Sequence, residues 1–143
     1  MTESIIIIDT SDILEGKLGE LKEAMSGLVG LAESNEPRII AYGMYLNGDG
    51  TRLTVIQVHP DSASAEFHMK IAGSAFPGFV EFIRMCRIDI YGKPSRELLE
   101  MLQRKARMLG SGKISVHELR TGLFRFSIPL TISAMDQAYN PLE

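Results

Sequence analysis

Near its start the chain carries four consecutive isoleucines, Ile5 to Ile8, within the run Ser4 to Asp9. Side chains of an extended chain point alternately to opposite faces, so this β-branched run reads as a strand with apolar groups on both sides. A sheet built around such a strand needs cover on both faces.

The following residues supply the first layer of cover. Leu14, Leu18, Leu21, Met25, Leu28 and Ala32 recur at alternating steps of four and three, with Glu15, Glu20, Lys22 and Glu23 opposite. That is one helical stripe. Asp12 stands three residues before Glu15, the spacing of a reciprocal helix cap, and Glu36-Pro37 ends the helix. Arg38 to Leu46 and Thr51 to His59 are rich in strand formers, and Asn47-Gly48-Asp49-Gly50 between them predicts a hairpin. Pro60-Asp61-Ser62 stops the second of these strands and caps a helix from about Ala63. This helix runs through Phe67, Met69, Ile71 and Ala72 and breaks near Pro77-Gly78, with Phe79 to Ile83 offering one more turn.

Met85 to Tyr91 reads as a further strand. Cys86, Ile88 and Ile90 share one face, and Arg87, Asp89 and Tyr91 share the other. A third helix runs from Pro94 to Leu109 on a stripe of Leu98, Met101, Leu102, Ala106 and Leu109, with Gly110 as its C-cap. Arg104, Lys105 and Arg107 in its last turns read as a solvated face. Lys113 to Leu119 is another candidate strand. Phe124, Phe126, Ile128, Leu130 and Ile132 then alternate with polar residues and Pro129, an extended segment confined to an edge or an arm. The expected fold class is α+β: a ferredoxin-like βαββαβ core with an antiparallel sheet over residues 1–92, and a C-terminal helix plus strand or arm over 93–143 as an extension of the same domain.

Composition narrows the function classes. Fifteen Lys and Arg against eighteen Asp and Glu give a net charge of −3. That balance argues against a nucleic-acid partner and against a polybasic membrane anchor. No apolar stretch approaches the roughly 20 residues of a spanning helix, and Met1 to Ser4 carries no basic n-region, so a cytoplasmic protein is expected. The single cysteine, Cys86, excludes an intramolecular disulfide and a zinc site built on several thiolates. No metal is expected from three histidines without short spacing, and no GxGxxG, GxSxG or CxxC motif occurs.

The strand Ile5–Ile8, the long amphipathic helix, the hairpin at Asn47-Gly48 and the stretch His59-Pro60-Asp61-Ser62-Ala63 leading to Glu66-Phe67-His68 resemble the antibiotic-biosynthesis-monooxygenase type of dimeric α/β barrel. The resemblance covers about the first two-thirds of the chain and is one of pattern. It implies a homodimer whose sheets meet in a barrel-like interface, a pocket for an apolar or aromatic small molecule between sheet and helices, and cofactor-independent oxygenation. Family members of this kind use Trp and Asn, with His or Arg, around the substrate. This chain has no Trp, and its asparagines are Asn35, Asn47 and Asn140. The helix histidine, His68, is the residue that matches a functional position.

His68 stands in register with Ala65, Ala72 and Ala75, small neighbours that leave room beside an imidazole. As a base with an unperturbed pKa of about 6.5 it suits proton abstraction from an acidic phenol or enol. An ordinary helix histidine is the competing reading. Tyr42, Tyr45, His59, Arg87 and Tyr91 are the candidate ligand-binding residues, with Tyr42 and Tyr45 on opposite faces of their strand. Arg87 and Tyr91, in one row with Asp89, read in the first place as a polar part of a subunit interface and in the second as a ligand-orienting set. The alternative function is a non-catalytic ligand-binding or oligomerisation module. A cavity of about 300 Å3 or more beside His68 keeps ligand binding in view, and a closed, packed space favours the module.

Overall fold

The computed structural model describes residues 3–126. The strand β1 (Ile5–Ile13) is followed by helix α1 (Leu18–Asn35), strands β2 (Ala41–Leu46) and β3 (Arg52–His59), and helix α2 (Ser62–Ala72). A short 3-10 turn (Gly73–Ala75) and helix α3 (Phe76–Phe79) lead into strand β4 (Ile83–Tyr91), helix α4 (Arg96–Leu109) and strand β5 (Ile114–His117). The sheet order is β2-β3-β1-β4-β5. The first four strands pair antiparallel, and β5 adds parallel to β4 through the α4 crossover. This is the ferredoxin-like α+β core with an extension on one edge.

β1 sits between β3 and β4, where β-branched side chains pack best. Its two faces differ. Ile5 and Ile7 are fully buried against the helices, whereas Ile6 and Ile8 on the other face are only half-buried. Leu21, Leu28 and Ala32 of α1, Ala65, Met69 and Ala72 of α2, and Leu98, Leu102, Ala106 and Leu109 of α4 close the helix-side core. On the open face the strand register sets Ile6 opposite Val58 and Ile8 opposite Ile56, a contiguous apolar patch of half-buried residues.

Local chemistry explains the turns. Asn47 Oδ1 accepts the backbone N–H of Thr51 and of Arg52 at 3.0 and 2.8 Å, and Gly50 takes a φ of +70° that closes the hairpin. Asp61 caps α2 by accepting the N–H of Ser64, and Ser95 caps α4 by accepting that of Leu98. Gly110 allows α4 to end against β4: a Cβ there would lie 2.0 Å from the carbonyl oxygen of Met85.

Three expectations are corrected. α1 begins at Leu18, and Asp12 remains in β1, where it pairs with Arg52 at 2.9 Å rather than capping a helix. β4 carries a bulge opposite Thr10 and Ser11, which takes Cys86 out of the apolar alternation. Ile83 and Met85 fill the buried face there instead, and Cys86 is half-buried. Lys105 is not on a solvated face; only 7% of it is exposed. Within the alternating C-terminal segment, Phe124 and Phe126 lie outside any strand, with ring centroids 5.7 Å apart. Ile128, Pro129, Leu130 and Ile132 lie outside the described residues.

Candidate functional site

The helix-side core contains a group of polar side chains where apolar ones would pack. The turn of α2 that buries Ala65 and Met69 carries His68 inward with them, fully buried. Glu36 follows α1, its backbone N–H still bonded to the carbonyl of Ala32 at 2.8 Å, and Pro37 prevents another turn. Its carboxylate thereby meets the histidine: both oxygens lie 2.9 Å from His68 Nδ1. An ionised carboxylate only accepts, so Nδ1 carries the proton and Nε2 the lone pair. Nε2 is buried without a hydrogen-bond partner.

Burial disfavours charge on both members. It pushes Glu36 up to about 7. It pulls His68 down to about 3, assisted by the nearby charges of Lys105 and His59. The imidazole is therefore neutral at physiological pH, and the pair takes up its next proton near neutrality.

Two further units adjoin the pair. His59, at the end of β3, is bonded through Nε2 to Gln57 Oε1 at 3.0 Å and through Nδ1 to Ser64 Oγ at 2.9 Å. The amide oxygen accepts the Nε2 proton, and in the neutral ring Nδ1 then accepts from the Ser64 hydroxyl. Burial lowers it to about 4. Its ring centroid lies 5.7 Å from that of His68, and Gln57 Nε2 is another buried atom without a partner. On the other side, Tyr42 meets the His68 ring edge-on at 4.7 Å. Burial, then the charges of Asp9 and Glu36, hold its phenol above the ordinary range, so it stays protonated. Beyond Tyr42, Lys105 pairs with Asp9 at 3.3 Å, and its ammonium stands 4.6 Å from the centroid of the Phe76 ring.

Two cavities touch residues in direct contact with His68 or His59. Between sheet and helices, Asp9, Tyr42 and Lys105 share an apolar-walled space of about 30 Å3, room for water and little more. It falls well short of a ligand-sized pocket. Outside, Glu36, Pro37, Arg38, Ile39, Ala63, Ser64 and Phe67 line a cleft of about 360 Å3 between the α1–β2 connection and the start of α2.

Of the residues singled out in the sequence, His68, Tyr42 and His59 thus come together. Tyr45, on the opposite face of β2, is 59% exposed and stands apart. Arg87 and Tyr91 lie on the open sheet face. There Asp89 accepts from Arg87 at 2.8 Å and pairs with His117 Nε2 at 2.9 Å, while Tyr91 stacks on His117 with centroids 4.5 Å apart. Burial works to raise Asp89, but the bonds from Arg87 and His117 outweigh it and leave the carboxyl below its usual range. A cavity of about 580 Å3 opens beside them, lined by Ile6, Ile8, Tyr91, His117, Leu119 and Phe124 among others. Among the described residues no cluster of three or more His, Cys, Asp or Glu side chains could hold a metal ion.

Glu36, Asp9 and Lys105 were missed at the level of sequence, although each carried a signal. Asp9 continues the alternation of Ile5 and Ile7, Lys105 continues the Leu98–Leu102 stripe, and Glu36 continues Leu28 and Ala32 in steps of four. Each is a charge on an apolar face.

No protein-family model matches the chain, and no curated protein sequence matches it. Solved structures do. MupZ from Pseudomonas fluorescens superposes with a TM-score of 0.68 at 19% identity, covering 90% of this chain and 100% of that one. A candidate antibiotic biosynthesis monooxygenase from Bacteroides thetaiotaomicron gives 0.54 at 12% identity over 62% and 85% of the two chains. Another, from Nitrosomonas europaea, gives 0.54 at 15% over 65% and 92%. The chain has the ferredoxin-like fold of the antibiotic-biosynthesis-monooxygenase-like structures. No helix among the described residues is long and apolar enough to cross a membrane.

Proposed function

We propose that this monooxygenase-like fold serves acid–base chemistry on an apolar or aromatic small molecule, with the Glu36–His68 pair as the reactive centre. The observation that carries this reading is the pair itself: a carboxylate and an imidazole, 2% and 0% exposed, held 2.9 Å apart. Removing two ionisable groups from water is costly, and packing alone would be served better by apolar residues. Removal of a proton from a phenol or enol is the step these residues suit. Cofactor-independent oxygenation would follow, with dioxygen as the four-electron oxidant: a CH2 group of the enolisable substrate becomes C=O, and its two hydrogens leave with the second oxygen atom as water. We further place the protein in the cytoplasm as a homodimer joined through the open sheet face, where Ile6, Ile8, Ile56 and Val58 present their apolar patch.

The test is dioxygen uptake with a panel of polycyclic phenols and enolisable ketones, comparing wild type with His68→Ala and Glu36→Gln. Turnover by wild type that falls about a hundredfold in either variant supports the reading. Turnover equal in all three overturns it. The small sheet–helix cavity favours a second reading, a non-catalytic module, which predicts no turnover by wild type.

A further inference from the structure

We propose that the cavity on the open sheet face is a second reactive site, independent of the Glu36–His68 pair. In it His117, held by Asp89, activates water for the hydrolysis of a neutral ester with an apolar body. The volume of about 580 Å3 lies within the roughly 300–1,000 Å3 of small-molecule pockets.

Strand register builds the site. β5 runs parallel to β4 with His117 opposite Tyr91 and Ser115 opposite Asp89. The Tyr91 and His117 rings stack at an interplanar angle of 15°, and Asp89 reaches diagonally to His117 Nε2 at 2.9 Å. The backbone already joins these strands, the N–H of Gly92 bonding to the carbonyl of His117, so the side-chain bond is not needed to hold them. An ionised carboxylate only accepts, so Nε2 carries the proton and Nδ1 keeps its lone pair. Among the described residues Nδ1 has no hydrogen-bond partner, and the side chain is 42% exposed in the cavity wall. Arg87 steadies Asp89 from its other side. An imidazole oriented by a carboxylate behind it is suited to take a proton from water.

The walls select the substrate. Ile6, Ile8, Leu119 and Phe124 supply apolar surface. Arg120 lines the same cavity and forms no ion pair among the described residues, so its guanidinium can meet the oxygen of a carbonyl under attack. The carboxylates of Glu3 and Glu118 also face the space; they disfavour an anionic substrate and repel the acid product. In the reaction, His117 Nδ1 takes a proton from water while the water oxygen bonds to the carbonyl carbon. The carbonyl electron pair moves to its oxygen and returns as the ester C–O bond breaks, and the departing alkoxide takes the proton from Nδ1. One water is consumed, one carboxylic acid and one alcohol form, and no oxidant is needed. Asp89 is a positioning residue. Ile6 and Ile8 also belong to the apolar patch at the subunit contact, whereas Tyr91 and His117 lie on β4 and β5, away from β3, so the cavity opens at the edge of that contact.

The test is hydrolysis of ethyl hexanoate by the full chain, with the released acid followed by titration at constant pH. We expect turnover above the buffer rate that falls about a hundredfold in His117→Gln. Asp89→Asn should lower kcat about tenfold or more with KM little changed, because an amide no longer fixes the tautomer. Arg120→Gln, on an exposed segment, is a further variant and should also lower kcat about tenfold or more. Circular dichroism of each variant should match wild type. Wild-type hydrolysis at the buffer rate, turnover in His117→Gln or Arg120→Gln equal to wild type, or a change confined to KM in Asp89→Asn would overturn the proposal. None of these results bears on the Glu36–His68 reading, which dioxygen uptake decides.

Discussion

Glu36 and His68, 32 positions apart in the chain, meet with both carboxylate oxygens 2.9 Å from one imidazole nitrogen and almost no exposed surface on either side chain. The end of one helix and the middle of another thus meet at a buried polar contact. Consequences follow for stability as well as for chemistry.

Glu36→Gln tests the cost of the carboxylate. A pKa raised from 4.5 to about 7 means the folded state holds a proton that the unfolded chain releases, so this group's contribution falls as pH rises from 4.5 to 7. Glutamine resembles the protonated side chain. Relative to wild type, the variant should therefore gain on the order of 3 kcal/mol between pH 5 and pH 8, measured by urea denaturation at both. A difference independent of pH would show that Glu36 ionises normally.

His59 works in the opposite sense. Its pKa is lowered from 6.5 to about 4, so its stabilising contribution is complete above pH 6.5 and is lost as pH falls toward 4. Wild type should lose up to about 3 kcal/mol from this group on acidification, and His59→Gln should flatten that slope. An unchanged acid limb in the variant would place the loss elsewhere.

Asp9 and Lys105 form a buried pair, and breaking one partner leaves the other charge uncompensated. Asp9→Asn and Lys105→Met should each cost about 3–5 kcal/mol. The double variant should cost clearly less than their sum, because neither charge then remains. Additive losses in denaturant melts would mean that the two side chains do not interact.

Gly110→Ala should destabilise by about 1–3 kcal/mol, since the added carbon meets the Met85 carbonyl and α4 must shift away from β4. A thermal midpoint equal to that of wild type would contradict the close approach.

Ile8→Asp places a charge in the apolar patch of the open sheet face. If that face joins two subunits, sedimentation should show wild type as a dimer and the variant as a monomer with preserved secondary structure. A monomeric wild type at micromolar concentration would remove the homodimer from the account.

Much of the fold was legible because its signals are local. Asn47-Gly48-Asp49-Gly50 specified its hairpin, Asp61 its cap, and the alternation around Ile5 the central strand. Errors came where tertiary structure overrode local pattern. Asp12 has cap spacing, but its strand continues to Ile13 and pairs on both sides. Cys86 alternates correctly in sequence until one extra residue in the strand moves it off the buried face. Lys105 sits among basic residues that suggest solvent, although it continues the buried Leu98–Leu102 stripe, and the charge it meets there, Asp9, lies on the distant first strand. The candidate site was half visible for a similar reason. A histidine among alanines pointed to His68, which the structure packs in the core rather than on a pocket wall; its partner Glu36 ends a different helix, and nothing local links the two.

The most direct measurement is the pH titration of the Glu36 side-chain carboxyl carbon by 13C NMR in the full chain, with the His68 ring nitrogens followed in parallel. The account predicts a carboxyl midpoint near 7 and a His68 ring that stays neutral, protonated on Nδ1, at higher pH. A carboxyl midpoint in the ordinary range near 4.5, with His68 titrating near 6.5, would contradict it.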